Sequence, residues 1–209
     1  MANEEHVAQL RKGVASWNAR RNENRDIRPD LREANFSGAD LSWANLFEAN
    51  LSGANLSKAK LTRMSGLQVN FSGANLSGAM LDDAFLIQAN LARANLSKTN
   101  LFRADLADAD LQHAYLACSS LMSARLSGAN LRGANLRPTV LSSTNLTGAI
   151  LSSVDLSEND LERSLLIETD VKGASLSGCR VYGASVWKLK TDQDTKQRNL
   201  VITARNEAP

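Results

Sequence analysis

The sequence predicts a repeat solenoid, an elongated fold in which the chain turns once in every five residues. From Leu31 to Val186 every fifth residue is apolar except Gly66, and 26 of these 32 positions are Leu. The position two residues earlier is Ala in 20 of 31 units, and the position between the two is Asn or Asp in 19 of 32. No insertion breaks this phase. A repeat this regular decides the architecture before any single helix or strand is considered.

Geometry limits what a five-residue period is able to form. In an α-helix five residues advance by about 140° beyond a full turn, so the leucines would lie all around the circumference. In a flat strand an odd period sends successive leucines to opposite faces. The remaining arrangement turns once per unit, with Ala and Leu inward, Asn or Asp outward, and two further residues at a corner. Pairs such as Ser52-Gly53 and Thr147-Gly148 occupy that corner, and they are typical turn residues.

These units resemble the pentapeptide-repeat family. The resemblance rests on the run A(N/D)LSG, present at 49–53 and 74–78, at 34–38 with Phe in the Leu position, and at 129–133 with Arg in the Ser position. It implies an all-β solenoid, a right-handed quadrilateral β-helix in which four five-residue sides make each 20-residue coil. Residues 31–188 would then form about eight coils, and about 4.8 Å between coils would give a rod about 38 Å long.

The two ends of the chain lack the repeat. Residues 1–30 are predicted to be an N-terminal capping α-helix and a connecting turn, and 189–209 a C-terminal tail or linker. A helix is predicted over residues 3–22. Its expected role is to cover the open sheet edge that a solenoid exposes at its end. Four apolar residues share its core-facing side: Val7, Leu10, Val14 and Trp17.

The ends also carry weaker resemblances. The leader through Leu31 is similar to that of cyanobacterial pentapeptide-repeat proteins. The polar tail is similar to linkers that lead into a further domain in some bacterial relatives, which predicts that this chain is the repeat domain of a longer protein.

One unit is irregular, because Gly66 stands in a core position that is otherwise large and apolar. We expect Met64, with Leu67 bent inward as a second candidate, to fill the space that Gly66 leaves. The alternative is a bulge that kinks the rod at a binding site.

Composition excludes several classes of protein. Lys and Arg number 24 against 22 Asp and Glu, a formal net charge of +2, which favours neither a general phosphate-binding surface nor a strongly acidic one. Two cysteines are too few for a disulfide framework. No apolar run reaches the roughly 18 residues of a membrane span, and nothing resembles a signal peptide. We therefore expect a cytoplasmic protein with no membrane contact and no direct nucleic-acid binding.

No catalytic, cofactor-binding or metal-binding residue is predicted. His6 and His113 lie in no ligand pattern with Cys or a second His, and His113 stands at an outward corner, unlike the buried base of a catalytic triad. Cys118 and Cys179 lie about three coils apart, roughly 14 Å, beyond the reach of a disulfide. No glycine-rich phosphate loop occurs. The sequence therefore predicts that this chain is not an enzyme.

Large apolar residues recur at outward positions on two neighbouring sides of the predicted rod. Residues 20 apart stack on one side of a four-sided coil, and a stacked apolar row calls for a covering contact. The cover would be a partner protein, a second copy in a homodimer, or the capping helix or a loop of the same chain. We call this set the apolar strip: Trp43, Phe47, Leu67, Phe85, Ile87, Phe102 and Met122.

Two functions from different classes fit these features. The first is a non-catalytic scaffold that presents a rigid β-helical face to an unidentified protein partner. The second, implied by gyrase-protecting members of the family, is a DNA mimic that binds DNA gyrase or another type II topoisomerase. Residues 31–188 contain 14 acidic and 14 basic residues, and a rod without net negative charge imitates phosphate poorly. The sequence therefore favours the scaffold.

Overall fold

The repeats form a rod whose coils are joined by parallel backbone pairing. The computed structural model describes residues 2–202. Asp30 pairs with Asn50, and the same 20-residue separation recurs on every side of the rod up to the pairing of Asp160 with Arg180. Each coil therefore contains four five-residue sides, as predicted.

We number the sides by their central inward residue. Side 1 contains Leu31 and every twentieth residue after it, and sides 2, 3 and 4 follow in the same way from Phe36, Leu41 and Leu46. The paired segment of a side is usually one residue long, because a corner follows every inward Leu. It lengthens to a strand at two places on side 4, where β1 (Leu165–Ile167) pairs in parallel with β2 (Ser185–Trp187).

The interior consists of one continuous apolar cluster. The Leu positions from Leu31 to Leu176 are buried, together with nearly all of the Ala positions, and they pack between neighbouring coils. Where Thr replaces Ala its hydroxyl is satisfied: the Thr144 Oγ1 donates to the Leu121 carbonyl at 3.0 Å. Buried polar groups with such partners keep the core intact.

The outward Asn or Asp has a defined structural task. In the unit 96–100 four backbone amides donate to backbone carbonyls of the same or neighbouring coils. The remaining amide, that of Ser97, donates to the Asn95 Oδ1 at 3.1 Å. An Asx turn of this kind supplies the acceptor that the backbone lacks, which explains why Asn and Asp dominate this position.

The irregular unit keeps the regular backbone. Met64 is fully buried, and a Cβ atom placed on Gly66 would lie 2.9 Å from both the Sδ and the Cε of Met64. Met64 therefore fills the space next to Gly66, as predicted, whereas Leu67 is exposed to solvent. The Gly66 amide still donates to the Phe85 carbonyl at 2.8 Å, so the pairing with the next coil is unbroken.

Two helices, rather than one, precede the first coil. Helix α1 spans Glu4–Arg11 and helix α2 spans Val14–Glu23. Asn3 is the N-cap of α1, where its side chain accepts two backbone hydrogen bonds. The helix predicted over residues 3–22 is divided at Gly13, whose φ of 122° is incompatible with a continuous helix.

Parallel pairing continues into the segment predicted to be a tail. Lys190 pairs with Asp170, and the later bridges Ser175 with Lys196 and Arg180 with Val201 have separations of 21 instead of 20. One extra residue follows Lys190 and shifts the phase, which hides the repeat from a search for every fifth Leu. Backbone pairing does not require Leu, so it outlasts the sequence pattern. Residues 203–209 of the predicted tail lie outside the described residues.

Candidate interaction surface

The apolar strip divides into exposed and partly covered members. Trp43, Phe85, Met122 and Leu67 are exposed, with 59%, 54%, 40% and 37% of their surface accessible. Phe47, Ile87 and Phe102 are half-buried. The exposed part lies mainly at the corner between sides 3 and 4, and Met80 on side 3 extends it. This corner holds most of the exposed apolar side chains, spread over five coils, whereas the row formed by Phe47, Leu67 and Ile87 is only partly open to solvent.

Phe47 lies against the N-terminal helices. The guanidinium of Arg21, on α2, donates from its Nη2 to the Phe47 carbonyl oxygen at 2.8 Å. An open groove of about 310 Å³ beside it is lined by Arg21, Asn22, Arg25 and Phe47, among others. Burial lowers the pKa of Arg21, and the neighbouring carboxylate of Glu48 partly offsets that effect. Phe47, a member of the apolar strip in the first coil, is therefore part of the contact between the N-terminal helices and that coil.

A column of charged residues stands among the exposed members of the strip. The guanidinium carbon of Arg63 lies 5.1 Å from the centroid of the Trp43 ring. The carboxylate of Asp83 then joins two arginines, since its Oδ2 lies 3.4 Å from the Arg63 Nε and its Oδ1 lies 3.1 Å from the Arg103 Nε. Arg103 also lies over the Phe102 ring, at 5.9 Å. Each cation–π contact at an exposed site stabilises by about 0.5–1 kcal/mol, so this column holds the Trp43 and Phe102 rings in place.

Arg63, Asp83 and Arg103 were missed when the sequence was searched for apolar residues alone. The 20-residue register would have found them, because Trp43, Arg63, Asp83 and Arg103 occupy the same position in successive coils. Trp and Arg are also the residues enriched in the energetic centres of protein interfaces.

The four apolar residues of the predicted capping helix all contact the core. Leu10 and Trp17 are buried, and Val7 and Val14 are partly buried against the same cluster. Trp17 also donates from its Nε1 to the Asn45 carbonyl oxygen at 2.8 Å. The helices thus contribute both apolar contact and hydrogen bonds to the first coil.

The residues considered for chemistry are dispersed. His6 accepts a hydrogen bond on its Nδ1 from the Asp30 backbone amide at 3.1 Å, and His113 is exposed at a corner. Burial raises the pKa of Cys179 to about 11, and its thiol donates to the Leu156 carbonyl, while Cys118 is exposed. Within residues 2–202 no three His, Cys, Asp or Glu side chains are grouped as a metal site would require. In the same range no helix combines the length and apolar character needed to span a bilayer.

The repeat pattern identifies the family directly. The model of the family described as pentapeptide repeats matches the chain in eight copies, over residues 30–63, 70–108, 104–141, 119–158 and 145–181. The chain therefore belongs to the pentapeptide-repeat family. A comparison with curated proteins found no significant match.

Two solved structures are similar to this chain to different degrees. A trypsin-treated form of QnrB1, a plasmid-mediated fluoroquinolone resistance protein, is 22% identical, with a TM-score of 0.54 over 77% of this chain and 90% of that one. HetL, a pentapeptide-repeat protein involved in heterocyst differentiation regulation from the cyanobacterium Nostoc sp. strain PCC 7120, is 33% identical over 75% of this chain and 73% of its own, with a TM-score of 0.33. The family match and the likeness to QnrB1 imply the right-handed quadrilateral β-helix that the sequence predicts.

Proposed function

We propose that this chain is a non-catalytic interaction module whose exposed apolar corner binds another protein. The observation that carries the proposal is the combination of Trp43, Phe85 and Met122, all exposed, with the ordered column of Arg63, Asp83 and Arg103. Large apolar side chains in water are unfavourable, and burying one of them in an interface contributes about 1.5–3 kcal/mol before the costs of association. We keep the cytoplasm as the expected location, on the sequence alone.

The rigidity of the rod supports this function. Most corners are closed by an Asx turn or a backbone hydrogen bond, and neighbouring coils pair with one another. A surface fixed in this way loses little conformational freedom when a partner binds, which favours affinity. The proposed occupant is a protein of different sequence, and a second copy of this chain is the alternative.

The test replaces the three exposed apolar residues with Ser: Trp43→Ser, Phe85→Ser and Met122→Ser together. We expect proteins captured by the wild-type chain to be lost, as measured by quantitative mass spectrometry after cross-linking, because the variant removes the centre of the surface. Sedimentation velocity on the same samples shows whether the lost contact is with a second copy. The melting temperature should change little, since all three side chains point away from the core.

The control is Trp187→Ser, which removes an exposed aromatic residue from the last coil, away from the corner between sides 3 and 4. It should leave both capture and sedimentation unchanged. Equal losses in the control and the triple variant would mean that any exposed aromatic acts in this way, and the proposal would be wrong. A large fall in melting temperature in the triple variant would show that the corner is covered by the chain itself.

A further inference from the structure

The charges of the rod are segregated, although they sum to zero. On five successive coils, side 2 and its two flanking corners comprise residues 52–58, 72–78, 92–98, 112–118 and 132–138, which we call the basic side; Glu33 of the first coil bounds it below. This surface contains no Asp or Glu. It contains five cations, namely Lys58, Arg93, Lys98, Arg132 and Arg137, all of them exposed. The balance of 14 acidic and 14 basic residues therefore conceals one side with a net positive potential.

Most of these cations are available to a ligand. Within residues 2–202, Lys58, Arg93 and Lys98 form no salt bridge with a carboxylate. Arg137 is different, since it pairs with Asp155 at 3.1 Å and Glu158 at 2.9 Å from the coil above. These two carboxylates mark the upper limit of the basic side.

The Asn column of this side presents hydrogen-bond donors. On side 2 the Oδ1 atoms of Asn55, Asn75, Asn95 and Asn135 each accept a backbone amide two residues later, at 3.1 Å. The acceptor half of each amide is therefore occupied by the corner. The Asn95 Nδ2 also donates to the Asn75 Oδ1 at 3.5 Å, so one of its two N–H groups remains to donate. Amide donors flanked by Lys58 and Lys98 at one corner and by Arg93 at the other are complementary to a ligand rich in acceptor oxygens.

An open groove lies along the Asn column of the basic side. It measures about 430 Å³ and is lined by Asn75, Asn95, Ser97, Arg93 and the exposed ring of Tyr115, with Gly73 at its edge. At the corners occupied by Gly, the backbone of an extended ligand has room to approach the Asn column between the cations. Since Lys58 and Lys98 occupy the same corner position two coils apart, about 10 Å separates successive cations along it.

We propose that the basic side binds an extended acidic segment of a partner protein, along the axis of the rod. About three residues of extended chain span the distance between successive cations, at about 3.3 Å per residue. Carboxylates at that spacing meet Lys58 and Lys98, and a further carboxylate meets Arg93 at the other corner of the coil that holds Lys98. The backbone carbonyls of the segment accept from the Asn Nδ2 groups. This surface is distinct from the apolar corner between sides 3 and 4, so the rod is able to hold two partners at once.

The surface favours a protein ligand over a single-stranded nucleic acid. Nucleic-acid strands of that kind are held by several aromatic rings on which successive bases stack. Besides its cations, the basic side offers only two rings, those of Tyr115 and His113, among outward side chains that are otherwise Asn, Ser, Ala, Gly, Gln112, Cys118 and Pro138. Its cations are also too few and too widely spaced to follow each phosphate.

The experiment measures binding of a fluorescein-labelled oligoglutamate peptide of about ten residues by fluorescence anisotropy, in a buffer of about 50 mM salt where exposed charges are weakly screened. The test variant is Lys58→Gln, Arg93→Gln and Lys98→Gln together. We expect its Kd to rise about tenfold, which corresponds to about 1.4 kcal/mol, since each of the three exposed ion pairs contributes modestly. The control variant, Arg125→Gln, Arg163→Gln and Lys188→Gln, makes the same change in net charge on other sides and should alter Kd less than twofold.

A second pair of variants tests the Asn column without removing a cation. Asn75→Asp with Asn95→Asp keeps the Asx turns, as Asp40 and Asp110 already show, but places carboxylates on the basic side. We expect it to weaken peptide binding, whereas Asn70→Asp with Asn90→Asp on side 1 should weaken it less.

Three results would overturn the proposal. The first is that the wild-type chain does not bind the peptide. The second is that the test and control variants lose peptide affinity equally while their melting temperatures stay unchanged. The third is that the wild-type chain binds an oligothymidylate with the same number of charges more tightly than the peptide. The last result would assign the basic side to nucleic acid instead.

Discussion

Met64 and Gly66 exchange the roles that Ala and Leu have elsewhere in the rod. In a regular unit the first core position holds a small side chain and the position two residues later holds a large one. Here the large side chain comes first, and Met64 occupies the space beside Gly66. The volume of the core is thus conserved although both residues depart from the pattern, in agreement with the tolerance of cores to volume-conserving changes.

This compensation predicts a strong coupling between the two positions. Met64→Ala alone should lower the free energy of unfolding by about 2–5 kcal/mol, because it leaves a cavity. Gly66→Leu alone should also destabilise, by about 1–3 kcal/mol, because the new side chain overlaps Met64. The double variant restores the regular Ala and Leu pair and should return close to wild-type stability in chemical denaturation. If the two losses simply add in the double variant, Met64 does not fill the space at Gly66.

At the scale of elements, the N-terminal helices occupy the place that a further coil would take below the first coil. The Asn45 amide donates to the Asn18 Oδ1 at 2.8 Å, and the Asn45 carbonyl accepts from the Trp17 Nε1. The Asn18 Nδ2 donates to the Trp43 carbonyl at 3.0 Å, and Arg11 of α1 donates to the Asn35 carbonyl at 3.2 Å. These side chains satisfy the edge groups that would otherwise pair with another chain.

We therefore predict that Trp17→Phe with Asn18→Ala loosens the first coil alone. The variant keeps the aromatic packing and removes the three hydrogen bonds that Trp17 and Asn18 make to the edge of side 4. Hydrogen exchange should accelerate at the amides of Leu46 and Glu48 but not at Leu126, since coupling in a solenoid runs between neighbouring coils. The exposed residue Asn22 provides the control, as Asn22→Ala should change neither region. Uniform acceleration along the rod would show that the helices stabilise the whole molecule.

The helical segment also shows what a pattern of apolar residues is able to predict. The period of Val7, Leu10, Val14 and Trp17 located the helix and its buried face, but it carried no information about the break at Gly13. A single Gly is tolerated within many helices, and here the break depends on how Leu10 and Trp17 reach the first coil together. The hydrogen bonds from Trp17 and Asn18 were equally hidden, because they join residues 25 to 28 positions apart in the chain.

At the scale of the whole molecule, the five-residue period determined the fold because every unit repeats the same task. Ala and Leu fill the interior, Asn or Asp closes the corner, and the register of 20 places each outward residue on one side. The surfaces were predicted less completely, since the apolar strip was found by size alone. Arg63 and Asp83 join it only through side-chain geometry, and the basic side becomes visible only when charge is sorted by side.

This distribution of charge leads to the last prediction, which concerns DNA gyrase. A DNA mimic needs continuous rows of unpaired negative charge, but Asp83 is held between two arginines and Asp105 pairs with Arg125 at 3.2 Å. Residues 52–58, 72–78, 92–98, 112–118 and 132–138 of side 2 and its corners, moreover, carry cations without a carboxylate. The protein should therefore leave gyrase supercoiling nearly unchanged in a gel assay, at concentrations that saturate an established mimic. Strong inhibition, relieved by Asp105→Asn, Asp108→Asn and Asp110→Asn together, would show that the acidic cluster imitates phosphate after all, and the interaction module would then be a topoisomerase ligand.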